Sequence, residues 1–232
     1  MEGVIAIIPA RGGSKGILRK NIKLLNGKPL ISYTINAAKQ SKHIARTIVS
    51  TEDTEIKEVS MKYGAEVIDR PEALAKDNSP TLPVLQHVIQ TLQDNNEKVK
   101  LIVLLQSTAQ FQKPEEIDEA IQTVINGNWD SLISLSPVPK HFNPIWQKKL
   151  KDNGQVLNVS DNKPINDDKK STRRQDLKQT YWKNGQIYIM TPETLMEKNS
   201  LFGERCTRYI INRKIVNIDT EEDWKQAEKL EK

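Results

Sequence analysis

Apolar residues along this chain fall into two alternating patterns. Short continuous runs are typical of buried strands, and apolar positions three and four residues apart predict amphipathic helices. The run GVIAIIPA predicts a strand over residues 3–10, and the periodic segment after it predicts a helix over 29–40. The alternation continues to residue 138, with strands over 45–52, 65–71, 100–108 and 130–138 and helices over 54–64, 81–93 and 114–126.

This alternation predicts the fold class. Strands joined by helices pair in parallel, because a helical crossover returns the chain to the same end of the sheet. Parallel strands need cover on both faces. We therefore predict an α/β fold with a mostly parallel sheet and helices on both of its faces.

The alternation stops after Val138. KKLKDNGQVLNV predicts a hairpin with its turn at Asn153-Gly154, and the polar stretch 161–176 predicts an exposed or ligand-ordered loop. We interpret 139–180 as a small excursion within one domain over residues 1–232. Regular elements then resume, with strands over 185–190, 207–211 and 214–218 and helices over 191–199 and 220–232.

Composition excludes several classes of protein. The 232 residues have a mean hydropathy of -0.60, and no apolar run approaches the roughly 20 residues that span a bilayer. The first residues lack the basic region of a signal peptide. The single cysteine argues against a disulfide framework. We expect a cytoplasmic protein with no membrane partner.

The net charge of +5 admits an anionic partner. Lysines are spread along the chain and often alternate with Glu and Asp, which is typical of a solvated surface. A local excess of cations suits a small anionic substrate equally well. We therefore expect no nucleic-acid partner.

The segment after the first predicted strand combines flexible backbone with positive charge. Ligands of open α/β sheets bind beyond the carboxyl ends of strands, where glycine N–H groups can close around phosphate oxygens. The alternative is a glycine turn with surface cations. The segment supplies Gly12, Gly13, Gly16, the hydroxyl of Ser14, and the cations Arg11, Lys15 and Lys20.

PARGGSKG followed by KN resembles the signature loop of the CMP-sugar synthetases, the acylneuraminate cytidylyltransferases. Further stretches follow in that family's order: DRPEALAKDNSP, LLQST, RRQD, NGQIYI and NIDTEEDW. The resemblance implies a nucleotide-diphospho-sugar transferase fold and a homodimer in which the 139–180 excursion mediates dimerisation. It also implies transfer of CMP from CTP to a nine-carbon 2-keto acid sugar, releasing pyrophosphate with Mg²⁺.

The resemblance assigns roles around the phosphates and the base. Arg11 and Lys20 would stabilise the leaving pyrophosphate, which Ser14 and the backbone of Gly12 and Gly13 would hold, and Asn21 would contact the nucleotide. Base recognition would fall to Arg70 and Thr81. The pattern alone favours an exposed arginine at position 70 and a helix N-cap at Thr81, and the resemblance reverses that preference.

The sugar side involves three other stretches. The resemblance implies that Gln106, at the end of an apolar run, recognises hydroxyl groups, and that the RRQD residues Arg173, Arg174 and Gln175 meet the sugar carboxylate. Tyr188 would line the sugar pocket. The alternatives are a solvated loop for the arginines and a core position for Tyr188. Where the family often has an arginine, this chain has Gln112, so no role is transferred there.

Two further departures concern the substrate and the metal. Trp146 favours a less polar sugar of legionaminic or pseudaminic type, although it could equally pack at a dimer interface or in the core. In NIDT, Asp219 would hold Mg²⁺, and Asn217 replaces a carboxylate common in the family. One aspartate can suffice, because Mg²⁺ often binds one or two carboxylates plus phosphate oxygens. The alternative is that Asp219 or Thr220 caps the last helix.

Two other functions remain open from the sequence. One is a related nucleotidyltransferase that acts on another sugar acid, of the Kdo type. The other is a basic nucleotide-binding protein without catalysis.

Overall fold

The computed structural model describes residues 3–14, 16–165 and 173–230. Their contacts divide the chain into two compact units. The larger unit comprises Met1–Ser134, Asn184–Tyr209 and Arg213–Lys232, and the smaller comprises Leu135–Lys183 and Ile210–Asn212. Among the described helices, none has both the length and the apolar character needed to cross a bilayer.

Eleven strands and six α-helices make up the regular structure of the described residues. The strands are β1 (Val4–Pro9), β2 (Leu24–Leu25), β3 (Lys28–Pro29), β4 (Arg46–Thr51), β5 (Glu66–Asp69), β6 (Leu101–Leu104), β7 (Ser131–Pro137), β8 (Lys148–Leu150), β9 (Val156–Asn158), β10 (Tyr181–Met190) and β11 (Cys206–Ile210). The helices are α1 (Leu30–Gln40), α2 (Thr54–Lys62), α3 (Thr81–Asp94), α4 (Pro114–Asn126), α5 (Pro192–Met196) and α6 (Glu221–Leu230).

Seven of the strands form one mixed sheet in the order β11-β7-β10-β6-β1-β4-β5. β1 pairs in parallel with β4 and β6, and β4 pairs in parallel with β5. β10 lies antiparallel to β6, with Tyr188 opposite Leu104. The α/β class is therefore confirmed, with an antiparallel strand inserted beside the parallel core.

Helices cover both faces of this sheet, as the buried runs require. Successive residues of a strand point to opposite faces. In β1, Ala6 and Ile8 belong to one apolar cluster with residues of α1 and α4, whereas Ile5 and Ile7 belong to another with residues of α3. Complete burial on both faces explains why the first strand is continuously apolar.

The secondary structure differs from the sequence-based prediction at two places. The predicted strand over 214–218 is not a strand, and Asn217 forms only an isolated bridge with Ala109. Its neighbour is the irregular chain after β6, which offers no continuous ladder. The β2–β3 hairpin is not among the elements predicted from the sequence, and its Asn26-Gly27 turn has φ values of 46° and 80°. Asn-Gly with positive φ at both positions is the preferred two-residue hairpin turn.

The smaller unit contains the predicted hairpin. β8 and β9 pair antiparallel, with Lys148 opposite Asn158, and Gly154 in the turn has a φ of 81°. Residues 166–172 of the predicted polar loop, which spans 161–176, lie outside the described residues. The unit's main segment extends a few residues beyond both ends of the 139–180 excursion. A role in dimerisation stays a prediction.

Candidate active site

A cavity of about 480 Å³ opens in the larger unit beyond the carboxyl ends of β1 and β6. This is the position that open α/β sheets use for ligands. Nine residues selected from the sequence line it: Arg11, Ser14, Gly16, Lys20, Asn21, Arg70, Thr81, Gln106 and Asp219. The structure therefore brings candidate residues for the phosphates, the base, the sugar and the metal to one cavity.

Residues 11–20, here called the glycine loop, are anchored at their start. The N–H of Gly12 donates to Glu52 Oε1 at 2.7 Å, and a Cβ at Gly12 would collide with the Asp53 carboxylate. Gly12 and Gly13 do not line the cavity. In this structure the Gly12 N–H is bonded to a carboxylate, and the role of the Gly12 and Gly13 backbone in holding phosphate stays a prediction.

Further along the glycine loop, two residues approach Asp219. A Cβ at Gly16 would overlap the Asp219 carbonyl, so only glycine permits this closeness. Lys20 Nζ donates to the Ile218 carbonyl at 2.7 Å and to Asp219 Oδ1 at 3.0 Å. Its side chain is only 12% exposed. The cation of Lys20 is thus fixed at the cavity wall next to a carboxylate.

The other cations of the loop have different surroundings. Arg11 pairs with Asp77 across 2.6 Å, and both residues line the cavity. Arg19 instead binds Asp53 and Glu55, which raises the pKa of Arg19 and lowers that of Asp53. Arg19 therefore serves the loop's own structure. Lys15 lies outside the described residues.

Asn21 ties the glycine loop to the chain that follows β6. Its side chain is buried, donates to the Arg11 carbonyl at 2.9 Å and accepts from Ser107 Oγ at 2.6 Å. Asn21 also lines the cavity. The predicted contact with a nucleotide remains a prediction, since these hydrogen bonds already give its amide a structural role.

Arg70 is buried at the cavity wall, so the alternative of an exposed surface arginine is wrong. Its Nη2 donates to the Ser50 carbonyl at 2.5 Å. Burial lowers the pKa of Arg70, and the nearby Glu52 carboxylate partly opposes this effect. A buried guanidinium with one edge at a cavity can recognise carbonyl or phosphate oxygens.

Thr81 is the first residue of α3, and Pro80 occupies the N-cap position without a side-chain bond. The alternative that Thr81 itself is the N-cap is therefore wrong. Thr81 lines the cavity at the helix N-terminus, where the helix dipole favours negative charge.

The candidate sugar residues separate into three groups. Gln106 lines the cavity. Tyr188 is 5% exposed within the apolar cluster under α3, and burial raises its pKa, so this structure assigns Tyr188 to the core and not to the cavity wall. Arg173, Arg174 and Gln175 lie in an exposed 3₁₀ turn of the smaller unit, where Arg173 Nε binds Asp176 at 2.7 Å. The role of these three in sugar binding stays a prediction.

Two departures from the resembled pattern have structural roles of their own. Gln112 is buried, accepts from Thr34 Oγ1 and donates to the Gln106 carbonyl. Asn217 donates to the Asn184 carbonyl at 3.2 Å. Gln112 therefore braces the chain at Gln106, and Asn217 braces β10 at Asn184. Trp146 is half-buried in the smaller unit, and its role stays a prediction.

At the start of α6, the residue that caps the helix is different from the candidate metal ligand. The Asp223 N–H donates to Thr220 Oγ1, and Asp223 Oδ2 in turn accepts from the Thr220 N–H at 2.8 Å. This reciprocal pair is a capping box. Thr220 is therefore the cap, and the Asp219 carboxylate is 74% exposed at the cavity.

The donor set at the cavity limits the kind of metal site. Within the described ranges, no group of three or more His, Cys, Asp or Glu side chains could hold a metal ion. Asp77 and Asp219 are the carboxylates among the cavity residues. Such a set fits Mg²⁺ held largely by phosphate oxygens and water, and it does not fit a metal caged by protein alone.

Several other residues at the cavity are not among those predicted from the sequence. These residues all lie within the stretches DRPEALAKDNSP and LLQST, which follow β5 and β6 in the chain. They are Lys76, Asp77, Ser79, Ser107 and Thr108. Their placement after β5 and β6 was the available signal, because the carboxyl ends of neighbouring parallel strands share one edge. Glu52 had no comparable signal, since an acidic residue after a strand is also typical of a surface turn.

Comparison with known proteins finds similarity along nearly the whole chain. The cytidylyltransferase family matches residues 5–232. A CMP-N,N'-diacetyllegionaminic acid synthase of Legionella pneumophila is 34% identical over 236 residues, covering 98% of this chain and 95% of the relative. A pseudaminic acid cytidylyltransferase of Campylobacter jejuni is 32% identical, covering 98% and 96%.

Two further matches are to a longer protein and to a protein of lower sequence identity. An N-acylneuraminate cytidylyltransferase of Streptococcus agalactiae is 34% identical over 95% of this chain but only 51% of its own length. Among solved structures, a synthetase of CMP-2-keto-3-deoxy-manno-octonic acid complexed with CTP matches with a TM-score of 0.73 and 16% identity. That match covers 99% of this chain and 98% of the other, and it supports the fold alone.

Proposed function

This chain belongs to the cytidylyltransferase family, and we propose that it transfers CMP from CTP to a nine-carbon 2-keto acid sugar. The observation that carries the proposal is the cavity where Arg11, Lys20 and Arg70 meet polar side chains at the carboxyl edge of the sheet. Relatives named for legionaminic, pseudaminic and N-acylneuraminic acids support the class of sugar acid.

The reaction requires charge stabilisation more than covalent chemistry from the protein. The anomeric hydroxyl oxygen of the sugar forms a bond to the α-phosphorus of CTP, and the bond from that phosphorus to the bridging oxygen of pyrophosphate breaks. The hydroxyl proton leaves to solvent. Arg11 and Lys20 would stabilise the charge that grows on pyrophosphate, and Ser14 would donate a hydrogen bond to it.

Arg70 and Thr81 would recognise the cytosine, and Gln106 would meet the sugar. Arg173, Arg174 and Gln175 remain our candidates for the sugar carboxylate. We further propose that Mg²⁺ is held by Asp219 together with phosphate oxygens, where it would neutralise charge on the triphosphate.

The proposal extends to the assembly and location. We propose a homodimer through the smaller unit and a cytoplasmic location. Five large apolar side chains of that unit are at least 40% exposed, which supports a contact with a second copy: Phe142, Leu150, Ile165, Tyr181 and Trp182.

A panel of substrates tests the class of reaction. The enzyme is incubated with Mg²⁺, each of the four nucleoside triphosphates and a set of keto-sugar acids, and the nucleotide-sugar product is identified by mass spectrometry. We expect product from CTP with a nine-carbon acid. Product only from the eight-carbon Kdo-type acid, which the structural neighbour's name describes, would favour the alternative substrate.

A further inference from the structure

Glu52, directly after β4, contacts two separate parts of the candidate site through one carboxylate. Oε1 accepts the N–H of Gly12, at the start of the glycine loop, across 2.7 Å. Oε2 lies 3.9 Å from Nη1 of Arg70, the candidate reader of the base. Glu52 itself does not line the cavity, so any influence on a ligand acts through these two neighbours.

The burial of the Glu52 carboxylate is expected to lower the stability of the fold, which is unusual for a residue with only a structural role. Its side chain is 19% exposed, and Oε2 is buried with no hydrogen-bond partner in the described part of the chain. A buried carboxylate oxygen without a partner lowers stability unless a nearby charge compensates it. The guanidinium of Arg70 is the cation that lies beside it.

Arg70 depends on Glu52 in return. Nη2 and Nε of Arg70 are directed to Ser50, at 2.5 and 3.3 Å, which leaves Nη1 towards Glu52. Burial lowers the pKa of Arg70, the positive charge of Arg11 lowers it further, and Glu52 opposes both effects. Removing the carboxylate would leave a desolvated cation held only by a neutral residue.

We infer that Glu52 is a positioning residue that fixes the start of the glycine loop and orients Arg70 toward the nucleotide. The inference rests on the proposed function, since it assumes that this cavity binds CTP. Each carboxylate oxygen has a separable role. Oε1 acts on the triphosphate side through Gly12, and Oε2 acts on the base side through Arg70.

Two substitutions separate these roles. Glu52→Gln keeps the side-chain size and an acceptor for Gly12 but removes the charge beside Arg70. Glu52→Ala removes both contacts. Glu66→Gln is the matched control, because Glu66 also pairs with an arginine, Arg46, but lies in β5 away from the cavity residues.

The experiment measures the dissociation constants of CTP and of inorganic tripolyphosphate by calorimetry. We expect Glu52→Gln to weaken CTP about tenfold and tripolyphosphate less than about twofold, as expected for loss of one charged contact. We expect Glu52→Ala to weaken both ligands. Glu66→Gln should bind both as the wild type does. In an Arg70→Gln background, Glu52→Gln should have no further effect on CTP, since it acts through Arg70.

The outcomes discriminate between this inference and the proposed function. If the wild type does not bind CTP, the proposed function fails, and the inference fails with it. If the wild type binds CTP, the inference alone is overturned by normal CTP affinity in Glu52→Gln. It is equally overturned by equal weakening of both ligands in that variant, or by additive effects of the two substitutions. A lower melting temperature with normal affinity would assign Glu52 a structural role only.

Discussion

Gly16 of the glycine loop lies against the backbone of Asp219. A Cβ there would overlap the Asp219 carbonyl, whereas a Cβ at Gly13 would meet no atom within 4 Å. Backbone atoms cannot move aside as a flexible side chain can, so a larger residue at 16 must push the two segments apart. The distance between Lys20 and Asp219 depends on this contact.

We therefore predict that Gly16→Ala reduces kcat on the order of 10²-fold, because displacement of catalytic groups by about 1 Å can cost that much. Gly13→Ala should have a much smaller effect, since it keeps the backbone N–H and enters open space. Steady-state kinetics of both variants measure the difference. Equal losses in both would mean that the close approach at Gly16 has no catalytic importance.

At the residue scale, the sequence predicts which residue types form the site better than it predicts which residues contact each other. The cations and hydroxyls of the glycine loop were predicted from residue types, and Arg11, Ser14 and Lys20 do line the cavity. Tyr188 lies in the core of this structure, a placement that the sequence does not determine, because an aromatic residue in a strand has the same sequence signal on a core face as on a pocket wall. The bond of Gly12 to Glu52 joins residues 40 positions apart, which no local pattern indicates.

The first turn of α6 combines two functions in adjacent residues. Thr220 and Asp223 form the capping box, while Asp219 presents its carboxylate to the cavity and to Lys20. Stability and activity should therefore respond to different substitutions in this one element.

We predict that Asp219→Asn nearly abolishes activity and leaves the melting temperature little changed. Thr220→Ala should retain activity and lower stability by about 1 kcal/mol through loss of the cap. For a chain of this length, that corresponds to roughly 2–4 °C. Thermal unfolding and pyrophosphate release are measured on both variants. If Asp219→Asn keeps its activity, or loses activity only because it unfolds, the assignment of Asp219 as the metal ligand is contradicted. The metal would then be held by other groups.

At the element scale, apolar periodicity predicted the helices and continuous apolar runs predicted the buried strands of the parallel core, because each pattern reflects which faces of an element are buried. Strand partners did not follow from it. The antiparallel position of β10 beside β6 and the loss of the strand over 214–218 depend on which segments lie next to each other. Pairing is decided by tertiary contacts and not by the local pattern.

Charge is distributed unevenly over the whole molecule. Residues 135–183 contain eleven Lys and Arg against five Asp, a net charge of +6, while the complete chain has +5. The rest of the chain therefore carries a net charge of -1. The basic excess belongs to the segment that also contains the RRQD residues, as expected if that segment meets an anionic substrate.

We predict that the protein is a dimer of twice 26.5 kDa at micromolar concentration. Leu150→Glu, at a side chain that is 78% exposed in the smaller unit, should shift it towards monomer because a charge opposes apolar contact. Met61→Glu, at a side chain that is 57% exposed on α2, is the control. Light scattering coupled to size-exclusion chromatography gives the masses. A fully active wild-type monomer would remove the proposed role of the smaller unit.

The central claim is that the glycine-loop cavity catalyses release of pyrophosphate from CTP. Its most direct measurement is the rate of pyrophosphate release with CTP, Mg²⁺ and a nine-carbon keto-sugar acid, for the wild type, Arg11→Ala and Lys20→Ala. Lys23→Ala is the control, because Lys23 pairs with Glu221 and does not line the cavity. We predict release that requires both substrates, a loss of kcat/KM on the order of 10²-fold or more in each cavity variant, and near-normal rates in the control. No release by the wild type, or near wild-type kcat/KM in both cavity variants, would contradict the claim.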